Sequence, residues 1–144
     1  MKQQKRIAAI LTVLAVAVLC SGFSCSNYAK AGQLAKDFAA TVLAAQQVEI
    51  QAHKAGYVDD TMHQAIQNEL ISVADAGVAL DAAINKSHSA SGALQQVTVI
   101  RQLLSDLLNN KIVGIKDQNT KLAIQAALLL CQTTIDNIAA FGGQ

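Results

Sequence analysis

Proline is absent from the 144-residue chain. No position therefore combines a fixed φ with a missing N–H, the pairing that ends helices and central strands. Breaks between elements must come from glycine, caps and polar runs. Tryptophan is absent as well, and aromatics make up only 3% of the chain. Platforms on which bases or sugar rings stack are nearly lacking, which argues against a single-stranded nucleic-acid surface. Charge is thin too, at 15% of residues against roughly 25% in typical globular domains. Downstream of residue 25, eight basic residues face ten acidic ones, a net charge of −2. No basic stripe of the kind phosphate binding requires is present, so nucleic acid is not an expected partner.

The catalytic vocabulary is equally short. The only glutamates are Glu49 and Glu69, whereas carboxylate-bridged di-iron bundles draw on several, with Glu-x-x-His on two helices. The nearest match, Glu49 to His53, is one residue too long. Covalent haem attachment lacks its C-x-x-C-H, and no G-x-S-x-G elbow frames a nucleophilic serine. Neither an enzyme nor a cofactor is expected.

What is present begins with an export-like start. Lys2, Lys5 and Arg6 precede a thirteen-residue run, Ile7 to Leu19, interrupted only by Thr12. This is the order of a secretory signal, and it falls short of the about 20 apolar residues a spanning helix needs. The run ends in Phe23-Ser24-Cys25. That ending resembles a bacterial lipoprotein processing site, in which a small residue precedes a cysteine that is acylated and becomes the new N-terminus. Ser24 fits this pattern, while Gly22 and Phe23 depart from the usual residues at their positions. The resemblance covers residues 1–26 and implies a lipid on Cys25, with Cys20 lost in the removed segment. Ordinary signal cleavage, or retention of the segment as a short membrane anchor, are the alternatives. Three cysteines in an exported chain leave at least one unpaired. A disulfide from Cys20 or Cys25 to Cys131 competes with lipidation, and C-x4-C alone has neither the spacing nor the partners of a structural zinc site. The expected organisation is residues 1–24 as signal or anchor and 25–144 as a single domain.

That domain is rich in Ala, Leu, Ile, Val and Gln, a composition that favours helix. Periodicity predicts helices at about 28–55, 60–86, 91–112 and 118–140. The second carries Met62, Ile66, Leu70, Val73, Gly77, Leu80 and Ile84 on one face, and the last Ile124, Leu128, Cys131, Ile135 and Ile138. The first offers Leu34, Phe38, Val42, Ala45, Val48 and Ala52. The third offers Leu94, Val97, Ile100 or Arg101, Leu104, Leu108 and Ile112, with Leu103 and Leu107 widening the stripe. Gly56 and Gly114 stand where a left-handed C′ residue belongs, and Asp59 and Asp117 where N-caps belong. Short connections, including Ser87 to Gly92, make an all-α, up-down-up-down antiparallel four-helix bundle the expected fold.

Candidate sites are few. Glu49 and His53 stand i, i+4 near the end of the first helix, and Met62 and His63 open the second. A hairpin brings these four to one bundle end, where imidazole, thioether and carboxylate offer transition-metal ligands. Histidine near a helix C-terminus also serves the dipole, and solvated surface is the expectation for these residues. Cys131 lies in an apolar seam, where desolvation suppresses thiol reactivity. Arg101 interrupts the third stripe and is expected to snorkel or to pair with a carboxylate. The expected function is therefore that of a non-enzymatic helical protein of the bacterial cell envelope. It would be tethered to the membrane or secreted, and would act by helix-surface contact with a protein partner or a second copy. A periplasmic metal or small-ligand carrier is the alternative.

Overall fold

A computed structural model describes residues 27–88 and 93–142. The expected export segment, Cys20, Cys25 and residues 89–92 of the middle connection lie outside these. The described residues form four helices and no strand: α1 (Asn27–Lys54), α2 (Asp60–Ser87), α3 (Leu94–Asp106) and α4 (Gln118–Gly142). A wide π turn, Leu107–Lys111, prolongs α3.

Each helix lies antiparallel to the two it packs against. Helix α1 packs on α2 and α4, and α3 closes the ring by packing on the same two. Between α1 and α2, Tyr28 Oη donates to Asn85 Oδ1 at 3.3 Å near one end, and Gln67 Nε2 reaches Gln46 O at 3.5 Å toward the other. Between α3 and α4, Arg101 Nη2 lies 2.6 Å from Asp136 Oδ1, so the one arginine of the body pairs with a carboxylate at the surface. Between α1 and α4, Lys30 Nζ sits 5.8 Å from the centre of the Phe141 ring.

The core is aliphatic and continuous through the four helices. Leu70, Val73, Leu80, Leu104, Leu128 and Ile135 are buried in one cluster with Phe38, the only aromatic ring wholly inside among the described residues. Helix α4 is long and apolar enough to cross a membrane by length and composition alone. Here Ile124, Leu128, Cys131, Ile135 and Ile138 on one side of it are buried in the core.

Three expectations are corrected. Gly114 does not take the left-handed conformation, and Gly56 is the only described glycine with positive φ, at 79°. The chain leaves α3 through the π turn, with Ile112 N donating to Leu107 O at 3.1 Å and Ile112 itself right-handed, so no left-handed residue is called for. Gly114 is instead a place of close approach, because a Cβ there would stand 2.7 Å from Cε of Met62. The π turn also shifts the buried register. Leu104, Leu107 and Ile112 are interior, whereas Leu108 is only partly covered, because the extra residue in the turn carries position 108 past the core. Finally, Leu34 and Val48 lie at the margin of α1 and Leu94 is 40% exposed. Ala31, Ala35 and Thr41 take the interior positions of α1, where small side chains let α4 approach closely.

Candidate functional site

Three of the four residues singled out at the hairpin end meet there. Helix α1 ends in a Schellman motif: Gly56 N donates to His53 O at 2.8 Å and Tyr57 N to Ala52 O at 3.0 Å. Val58 then turns inward and is buried, and Asp59 caps α2 by accepting from Met62 N at 2.8 Å. This five-residue connection fixes the last turn of α1 against the first turn of α2.

Glu49 is completely buried. Burying a carboxylate is costly unless it is paired and hydrogen-bonded, and two side chains of α2 supply those partners. His63 Nδ1 donates to both oxygens, at 2.9 and 3.0 Å. Gln67 Nε2 donates to Oε2 and also approaches Gln46 O. Solvated surface was the expectation for Glu49, and the structure overturns it. The i, i+4 spacing of His63 and Gln67 puts both donors on the side of α2 that faces α1.

His53 stacks on His63, with ring centres 4.0 Å apart and planes 9° from parallel. His53 Nδ1 lies 3.0 Å from Val58 O. A carbonyl only accepts, so this nitrogen carries its proton and ties the imidazole to the connection. His53 Nε2 faces the exposed Asp60 Oδ1 at 3.5 Å. Each imidazole thus has Nδ1 engaged, on Glu49 or on Val58. Both side chains keep about a quarter of their surface open, 28% for His53 and 26% for His63.

The arrangement bears directly on metal chemistry. An imidazole lone pair lies in its ring plane, and these planes run nearly parallel in a stack with ring centres 4.0 Å apart. One ion cannot lie in both planes at a bond of about 2.0–2.1 Å to each nitrogen. Both Glu49 oxygens are already acceptors, and Met62 directs its methyl toward Gly114. Among the described residues no group of three or more His, Cys, Asp or Glu side chains is arranged to hold a metal. As it stands, the cluster is a buried charge with its donors and a stacked pair of imidazoles locking a hairpin.

Gln67, Asp60 and the Val58 carbonyl were not anticipated. The position of Gln67, one turn after His63, was the available signal; the carbonyl had none.

Two other features complete the chemistry. Cys131 is fully buried beside Thr41, and burial pushes its thiol up to about 11, away from the thiolate a nucleophile requires. An open groove of about 450 Å³ runs between α2 and α3 past Glu69, Gln102, Asp106 and Asn109. Asp106 is held below the usual carboxylate range chiefly by Asn110, with Lys111 adding to the effect. No protein-family model, curated protein or solved structure matches the chain.

Proposed function

We propose that this chain is a non-enzymatic up-down-up-down four-helix bundle of the bacterial cell envelope. It is held at the membrane through lipid on Cys25 or through the apolar segment before it, and it works by helix-surface contact with a protein partner or a second copy. The observation that carries the contact surface is a row of open aliphatic side chains beside the α1–α2 seam. Gln67 reaches Gln46 across that seam. Leu43, one turn before Gln46, is 59% exposed, and Ile71 and Val78, one and three turns after Gln67, are 50% and 71% exposed. Helical spacing keeps each on the same side as its glutamine. With charge at 15% of residues, few charged side chains are left to screen this row.

The test has two arms. Intact mass and detergent-phase partition of native protein should report an acylated N-terminus at Cys25, and Cys25→Ser should move the chain to the aqueous phase. A native protein that stays aqueous with Met1 intact refutes the anchor. For the surface, Val78→Cys should react rapidly with a thiol reagent in purified protein and slowly in native envelopes, with buried Cys131 silent in both. Equal labelling in the two refutes the contact.

The proximity of His53 and His63 supports the alternative of a metal or small-ligand carrier. That reading requires the stacked rings to rotate apart so that two Nε2 lone pairs share one ion, and metal analysis of the purified protein separates the two.

A further inference from the structure

The two ends of the four-helix body differ in chemistry. At the hairpin end, charges of both signs alternate: Lys54, Lys111, Lys116 and Lys121 stand among Asp59, Asp60, Asp106 and Asp117. The opposite end is formed by the first turns of α1 and α3 and the last turns of α2 and α4. Neither α1 nor α3 has an acidic residue in its first turn, α4 has no charge in its last, and Lys86 stands in the last turn of α2. Lys30 and Lys86 are the lysines of this terminal layer among the described residues, and His88 stands beside them. The nearest carboxylate, Asp81, stands five residues before Lys86 and accepts from Asn85, and Asp37 and Asp136 lie further in, bonded to Gln33 and Arg101 respectively.

Aromatic and aliphatic groups share this end. Tyr28 meets His88 edge-on at 5.4 Å, Lys30 lies over Phe141, and Leu94 is 40% exposed. Amphipathic rings together with lysines that extend past apolar surface are the side chains that settle at a bilayer's headgroup level.

We propose that this end is seated on an anionic phospholipid surface, with Lys30 and Lys86 at the lipid phosphates and Tyr28 and Leu94 at headgroup depth. The proposal rests on the reading that the chain is held at a membrane by what precedes α1, and it adds which face the membrane sees. Cys25 is two residues before Asn27, a reach of at most about 7 Å. Both anchoring routes, acylated Cys25 and a retained apolar segment, deliver the bilayer to this end. Charge selects it as well, since a negative surface attracts an end whose outermost charged side chains are lysines. Each lysine near such a surface contributes about a fivefold bias toward the seated orientation, and salt weakens it within a Debye length of about 10 Å at 0.1 M.

The chain has no tryptophan, so Leu94→Trp and Tyr57→Trp each place a single fluorophore, one at either end. Full-length processed protein carrying each change is reconstituted into brominated phosphatidylcholine vesicles with and without phosphatidylglycerol, and flotation is measured alongside quenching. Leu94→Trp should be quenched strongly on the anionic vesicles and weakly on the neutral ones or in high salt. Adding Lys30→Glu and Lys86→Glu should remove that quenching without loss of flotation, and Tyr57→Trp should stay unquenched throughout. Loss of flotation in the unmodified chain overturns the anchoring reading and the seat with it. Flotation without preferential quenching of Leu94→Trp, or with quenching indifferent to lipid charge and to the lysine reversals, overturns the seat alone. Fluorescence of Leu94→Trp that is shielded in detergent and depends on protein concentration assigns this end to a second copy and overturns the seat too.

Discussion

Removing the imidazole of His63 tests the buried carboxylate most directly. In His63→Ala, Glu49 keeps its wholly buried position but loses the donor that serves both its oxygens, leaving only Gln67. Breaking a buried pair by deleting one partner costs about 3–5 kcal/mol. His63 is itself 26% exposed, so water reaches the vacated site and the lower end, about 3 kcal/mol, applies. A share of about 0.5–1 kcal/mol comes from the lost stack on His53. Glu49→Gln should behave differently. The neutral amide still accepts from His63 Nδ1, and Gln67 can turn its own amide to present oxygen, so the cost is about 1 kcal/mol. In the double variant no carboxylate is left stranded, and its cost should fall below the sum of the single changes by more than 1 kcal/mol, as a rough bound for coupled neighbours. Urea unfolding followed by far-ultraviolet circular dichroism measures all three, and thermal scans should place the His63→Ala midpoint about 10 °C below wild type. Equal costs for His63→Ala and Glu49→Gln, or additivity in the double variant, would show that water solvates Glu49 and would refute the reasoning.

Leu128→Ala removes a fully buried side chain facing the core and should lower stability by about 2–5 kcal/mol; an unchanged urea midpoint contradicts the core assignment. Cys131 is raised from 9.0 to about 11 by burial, so the unfolded chain releases this proton first as pH climbs. The stability tied to the protonated thiol is complete below pH 9 and lost by about pH 11, a decline on the order of 2–3 kcal/mol. Cys131→Ala should lack this decline, and matching slopes for both proteins between those pH values would count against it. Asp117 accepts from Thr120 N at 2.8 Å, and the bonds from Thr120, side chain first, hold it below its ordinary value. Its folded value is depressed, so its contribution is present above the ordinary carboxylate range and lost as pH falls through the folded value. Asp117→Asn, which keeps the cap without the titration, should flatten the acid limb of the stability curve, and an unaltered limb argues against this. Asp59→Ala removes the bond to Met62 N and should destabilise the chain by about 1 kcal/mol, measured by the same urea unfolding.

The sequence by itself determined the helices and most of the core. Spacings of three and four among Ile66, Leu70, Val73, Leu80 and Ile84 specify a buried face without reference to anything distant, and cap chemistry at Asp59 and Asp117 acts over three residues. Local rules suffice where cause and effect lie within one turn. Tertiary structure decided the rest. Whether the third stripe ran through Leu107 or Leu108 depended on the π turn, which shifts which side of α3 meets the core and has no signature in hydrophobic spacing. The fate of Glu49 depended on the chain returning His63, fourteen positions on, to within 2.9 Å of it. On α1 alone the glutamate is one polar residue on a helix. It becomes a buried charge because α2 packs over it and brings two donors at a four-residue spacing, and desolvation and partners arrive in the same contact.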